Sequence, residues 1–167
     1  YAVSISFAAV ELAKRIFSDL SQQRALIIGA GEMAELALQN LKSHGVAGVL
    51  VTNRTYTNAE NLAKKFGGTA IPFDQLENRL SEADIIISST GARHFVLTQS
   101  MVRKCLKNRR GRAMFLIDIA VPRDIEPEIN DLPGAYSYDI DDLQNVVQKN
   151  QEERVIQAKQ AGKILED

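Results

Sequence analysis

Apolar residues in this chain follow two rhythms. Short solid blocks occupy residues 24–29 (RALIIG), 46–53 (VAGVLVTN), 83–89 (ADIIISS) and 113–120 (AMFLIDIA). Runs this short, rich in Ile, Leu and Val, predict strands covered on both faces. Between them apolar residues recur every three or four positions, the period of an amphipathic helix. Residues 31–44 carry such a stripe in Met33, Ala34, Ala37, Leu38 and Leu41, with Gly45 as the stop. Residues 57–66 predict a second helix, opened by a capping box of Thr57 and Glu60 and ended by Gly67 and Gly68. A short strand at 69–71, closed by Pro72, precedes a short helix that Asp74 and Glu77 open and that carries Leu76 and Leu80. Residues 98–107 read as another helix and 135–138 as a last strand. Alternating strands and helices make βαβ units, hence a parallel sheet with helices on both faces. Right-handed crossovers favour a doubly wound α/β topology.

Both ends depart from this rhythm. Residues 6–17 predict an extra N-terminal helix with an apolar stripe of Val10, Ala13, Ile16 and Phe17. From Asp139 or Asp141 a long helix runs toward the C-terminus, with Leu143, Val146 and Val147 beginning an apolar face. Residues 148–154 (QKNQEER) are then polar on nearly every side, so this helix either bridges to another body or is solvated. We read residues 1–142 as a nucleotide-binding domain and 143–167 as the start of a connecting helix.

Composition narrows the class. A chain of 167 residues buries the core of one domain without a staple. The single Cys105 excludes an internal disulfide and any multi-cysteine metal site, and no metal is expected. With 20 Lys plus Arg against 21 Asp plus Glu, a general nucleic-acid coat is excluded, though not a local contact. No apolar run approaches the ~20 residues of a membrane span, and there is no signal-peptide pattern, so a cytoplasmic protein is expected. The chain opens on Tyr1 rather than Met, which suggests a piece of a longer protein.

Gly29-Ala30-Gly31-Glu32-Met33-Ala34 fits Gly-x-Gly-x-x-Gly/Ala and stands directly after a strand and before a helix. Gly29 permits the tight turn, Gly31 admits a pyrophosphate, and Ala34 lets the helix pack close to the strand. Amides of the first helical turn would face the phosphate, helped by the helix dipole. The fold class is therefore a Rossmann-type doubly wound sheet, and the ligand a dinucleotide. The next strand ends in Asn53-Arg54-Thr55, without the carboxylate that an NAD ribose wants. Arg54 would instead pair with a 2′-phosphate, a charged hydrogen bond that contributes ~1.5–3 kcal/mol, or about ten- to a hundredfold in favour of NADP. Ser89, Thr90 and Gly91 should lie near the adenosine or pyrophosphate, and Ile119, Ala120 and Val121 near the nicotinamide.

Other candidates are weaker. Asp118 ends an apolar strand and needs a partner if buried, either a structural amide or a catalytic role. His94 is the imidazole near the ligand edge, able to act on substrate or touch cofactor. His44 complements a helix end. Cys105, between Val102 and Leu106 on a helix, reads as core filler. Arg103, Lys104, Lys107, Arg109, Arg110 and Arg112 form a basic cluster on the opposite edge, explained by solvation and the helix dipole rather than by RNA.

Several strings carry a family resemblance. Val3-Ser4-Ile5-Ser6, the run 8–13 (AAVELA), GAGEMAELA, Asn53-Arg54-Thr55, SSTGA with His94, LIDIAVPRDIEP and YSYDIDDL together resemble the NADP-binding domain of glutamyl-tRNA reductases. The quinate/shikimate dehydrogenases share the Asn-Arg-Thr pattern but not the last two strings. The resemblance implies NADPH-dependent reduction of glutamyl-tRNA to glutamate-1-semialdehyde, the committed step toward 5-aminolevulinate and tetrapyrroles. It also implies a nucleophilic cysteine on a separate N-terminal domain, so that no catalytic residue lies in this chain and the fragment alone is inactive. A homodimer joined through a further C-terminal domain and transfer of product to an aminomutase are implied as well. Asn58 stands where the family often has a second Arg, and Phe7 and Arg93 where small residues or Pro are usual. A shikimate-type NADP dehydrogenase and a non-catalytic nucleotide-sensing module are the alternatives.

Overall fold

The computed structural model describes residues 2–166, with side chains to Ala161. Six strands form one parallel sheet: β1 (Arg24–Ile28), β2 (Gly48–Thr52), β3 (Thr69–Ala70), β4 (Ile85–Ser88), β5 (Met114–Asp118) and β6 (Ala135–Asp139). Their spatial order is β3-β2-β1-β4-β5-β6, every pair parallel. The order reverses between β1 and β4, which opens a crevice at the carboxyl ends of those strands.

Alternation along each strand builds two cores. Ala25, Ile27, Val49, Val51, Ile85, Ile87, Phe115 and Ile117 share one cluster with α1 (Ala2–Ile16), α2 (Glu32–Ser43), α3 (Tyr56–Phe66) and the start of α6 (Ile140–Glu166). Leu26, Ile28, Ile86 and Leu116 point the other way, onto α4 (Leu76–Arg79), α5 (Gln99–Asn108) and the 3₁₀ turn Pro127–Asp131. Strands hidden on both faces explain the uninterrupted apolar blocks of the sequence.

Three local expectations are corrected. The capping box of Thr57 and Glu60 does not form: α3 begins at Tyr56, its N-cap is Thr55, and Thr57 falls within the first turn. A reciprocal box closes instead at α6, where Asp139 N–H donates to Asp142 Oδ2 (2.9 Å) and Asp142 N–H to Asp139 Oδ1 (3.0 Å). Helix α1 starts at Ala2 rather than Ser6. Ser6 is fully buried within it, donating its hydroxyl to Val3 O (3.0 Å) and accepting from Asn40 Nδ2 (2.9 Å).

Finally, Arg109 is no solvated charge but is 1% exposed. Its guanidinium donates to Asp84 Oδ1 (2.7 Å) and to the carbonyls of Ala83 (2.8 Å), Ser81 (3.0 Å) and Ala113 (2.6 Å). A buried charge with this many acceptors is satisfied, and it ties the entries of β4 and β5 together.

Candidate functional site

At the switch point a cavity of about 530 Å³ opens, lined by Ala30, Gly31, Asn53, Arg54, Thr55, Asn58, Ser89, Thr90, Gly91 and Ala92. Its floor is the turn after β1. Gly29 has φ +119°, and a Cβ there would collide with the carbonyl of Ser89. Only glycine lets the turns after β1 and β4 approach this closely. Gly29 N–H donates to Thr52 O (2.8 Å) and Ser89 N–H to Ile28 O (2.8 Å), extending the ladder to the cavity rim.

Gly31 caps α2 without a side-chain bond. A Cβ on it would meet nothing within 4 Å, so its α-face looks into open space. The first amides of α2 have no partner inside the helix, and the dipole favours an anion there. Ala34 is fully buried beneath that turn, as close strand–helix packing requires. Donors, dipole and space together suit a pyrophosphate. Glu32 and Met33 follow on the first turn of α2 but do not line the cavity: Glu32 is exposed, and Met33 packs against the core.

The β2 side supplies the cation. Asn53 Nδ2 donates to Thr55 O (3.2 Å) and shapes the turn. Arg54 reaches across the mouth to His94, Nη2 to Nε2 3.1 Å, with its guanidinium over the Phe73 ring. Asn58 lines the wall beside it.

The β4 side is fixed by a residue that sequence reading passed over. Asp124 is fully buried; its carboxylate accepts from Ser88 Oγ (2.7 Å), Thr90 N–H (2.8 Å) and Thr90 Oγ1 (2.5 Å). Its own carbonyl accepts from the amides of Val96 (2.6 Å) and Leu97 (3.1 Å). The Ser88 and Thr90 hydroxyls, alternating after an apolar strand, were the available sign that a buried acceptor was needed.

Asp118 has a structural role. Its carboxylate accepts from the amides of Ala120 (3.1 Å), Asp124 (2.8 Å) and Ile125 (2.8 Å), holding the loop after β5. Burial pushes its pKa up, the Ile125 and Ala120 amides pull it down, and the Asp124 charge raises it. Ile119 and Ala120 are buried at this end and Val121 is exposed. These residues follow the strand beside β4 but do not line the cavity. Cys105 is buried on α5, and desolvation pushes its thiol up to about 11, while the Arg109 charge lowers it. A thiol so held is a poor nucleophile. Among the described residues no cluster of His, Cys, Asp and Glu could hold a metal, and no helix is long and apolar enough to cross a membrane.

This geometry is that of a dehydrogenase-type nucleotide site, and comparison with known families agrees. A sequence model of the shikimate / quinate 5-dehydrogenase family matches residues 11–146. The chain belongs to that family. Over 99% of its length it is 56% identical to the glutamyl-tRNA reductase of Maridesulfovibrio salexigens, of which it covers 38%. The chain therefore spans well under half the length of the curated relatives it matches. The solved glutamyl-tRNA reductase from Methanopyrus kandleri superposes with a TM-score of 0.89 at 39% identity, over 98% of this chain and 41% of that one. The nucleotide-binding domain of the Thermoplasma volcanium glutamyl-tRNA reductase has the same fold, with a TM-score of 0.70 at 15% identity over 90% of this chain and 95% of that one.

Proposed function

We propose that this chain is the NADP(H)-binding domain of a cytoplasmic glutamyl-tRNA reductase. The carrying observation is the cavity at the switch point, which has an arginine and no carboxylate at the end of β2. Similarity to glutamyl-tRNA reductases along nearly all of this chain, though over only 38% of the relative, supports the reaction class. The cofactor, when bound, supplies a hydride. The chain's own residues would do the rest. The α2 amides and Gly31 would hold the pyrophosphate, and Arg54 the 2′-phosphate. Thr90 and Gly91, held by Asp124, would wall the adenosine half, leaving the nicotinamide to lie toward Ile119, Ala120 and Val121.

The electrophile would come from elsewhere in the longer protein. On this reading, a cysteine on a preceding domain attacks the glutamyl ester of glutamyl-tRNA, giving a thioester and releasing tRNA. Reduction of that thioester by hydride would give glutamate-1-semialdehyde, and the departing thiolate would take up a proton to regenerate the thiol. Residues 1–142 would form the cofactor domain and 143–167 the start of a connecting helix to a dimerisation domain. Handover of the aldehyde to the following aminomutase belongs to the same proposal.

Titration of the chain with NADPH and NADH tests the cofactor reading. NADPH should bind about ten- to a hundredfold tighter, and Arg54→Ala should weaken NADPH by that factor while leaving NADH nearly unchanged. Equal affinity for the two would sink the NADP assignment. Reductase activity toward glutamyl-tRNA in the full-length protein, absent from the 167-residue chain, tests the rest.

A further inference from the structure

We propose that His94 determines cofactor specificity by positioning Arg54. This rests on reading the cavity as an NADP(H) site. Arg54 follows β2 and His94 follows β4, with β1 lying between those strands. Their 3.1 Å contact therefore spans the crevice. A guanidinium remains protonated and can only donate. The Nε2 of His94 must accept, which places the ring's proton on Nδ1 and makes the imidazole neutral in this contact. On the other side Arg54 lies over Phe73, its Cζ 5.7 Å from the ring centroid. A lone pair and a π-face thus fix an otherwise free side chain, with its remaining N–H groups left for phosphate oxygens.

His94 can serve as a post because its loop is pinned on both flanks. Thr90 is bound to the Asp124 carboxylate, and Val96 and Leu97 to the Asp124 carbonyl. Asn58, an uncharged residue, shares the wall with Arg54. The placement of one guanidinium then carries much of the discrimination.

The experiment measures NADPH and NADH affinities for the wild-type chain and for the Arg54→Ala, His94→Ala, His94→Asn and His94→Gln variants. Gln places its amide oxygen near the position of Nε2, while the shorter Asn reaches only as far as Nδ1. Arg54 and His94 are both exposed, so losing this bond between a charged donor and a neutral acceptor corresponds to roughly two- to tenfold. His94→Ala and His94→Asn should lower the NADPH-to-NADH affinity ratio by about that factor, and His94→Gln should restore it. A ratio unmoved by His94→Ala while Arg54→Ala collapses it would overturn the proposal. So would an equal loss for both cofactors, or a failure of Gln to rescue. No preference in the wild type, with Arg54→Ala silent, would instead overturn the underlying NADP(H) reading and this proposal with it.

Discussion

Two residues are held by the backbone around them, one at the ligand corner and one at the opposite edge of the sheet. Gly29→Ala would force a side chain into the left-handed region and against the Ser89 backbone. The expected loss is roughly 1–3 kcal/mol in urea denaturation, with dinucleotide binding abolished even where the fold survives. Arg109 is the other. Replacing it with Met strands Asp84 and several carbonyls, and should cost about 3–5 kcal/mol. Arg109→Met with Asp84→Asn should cost less than the sum of the two single changes, a coupling that a double-mutant cycle reads directly. Gly29 was legible because a positive-φ turn between strand and helix leaves a fixed glycine spacing. Arg109 was not. It sits in a run of basic residues, and nothing local says which one turns inward. The answer depends on Asp84, which is 25 positions away and becomes its neighbour only once β4 lies beside β5.

Elements were read better than their ends. Every strand was found: β1, β4 and β5 because two-sided burial leaves solid apolar blocks, β3 and β6, half-covered edge strands, as short runs beside turn residues. Helix starts were less legible, since hydroxyl and acid residues occur at many spacings that could cap. Thr57 with Glu60 has the pattern of a box but falls two residues past the N-cap Thr55, whereas Asp139 with Asp142 uses aspartate in both roles. Asp142→Ala should remove one reciprocal bond and lower stability by roughly 0.5–2 kcal/mol, seen as a lower Tm with fraying of α6 in far-UV circular dichroism. The loops after β4 and β5 behave as one element because Asp124 joins them. Asp124→Ala should deprotect the Thr90 amide in hydrogen exchange and weaken NADPH and NADH alike, in contrast to the selective effect expected at Arg54.

At the scale of the whole molecule, α5 and its thiol report on global stability. Cys105 holds its proton more tightly when folded than when unfolded, so its contribution is fully present below pH about 8.5–9 and is lost as pH rises toward about 11. Stability should fall over that window by up to roughly 3 kcal/mol, and Cys105→Ala should flatten that slope. At pH 8 the thiol should react with alkylating reagents only at the rate of global opening. Doubly wound topology was legible from the βαβ rhythm. The cavity's walls were legible in part, as the residues ending β1, β2 and β4. The bracing between them was not, because hydrogen bonds from Asp124 and His94 cross elements that sequence separates by 30 residues or more.

Helix α6 leaves β6 with no intervening loop, its 27 residues phased by the Asp139–Asp142 box and by the ion pair of Arg123 with Asp141 (2.7 Å). At 1.5 Å per residue it is about 40 Å long, so a tilt of some 5° at its root would swing its tip about 3–4 Å. Its azimuth is set at the root by the sheet and farther along by α1, where Asn150 Nδ2 donates to Glu11 Oε2 (2.9 Å). Inserting one alanine after Leu143 would turn everything beyond it by about 100°, whereas seven would nearly restore the original heading. The heading of α6 is therefore tied, through Arg123, to the loop that follows β5.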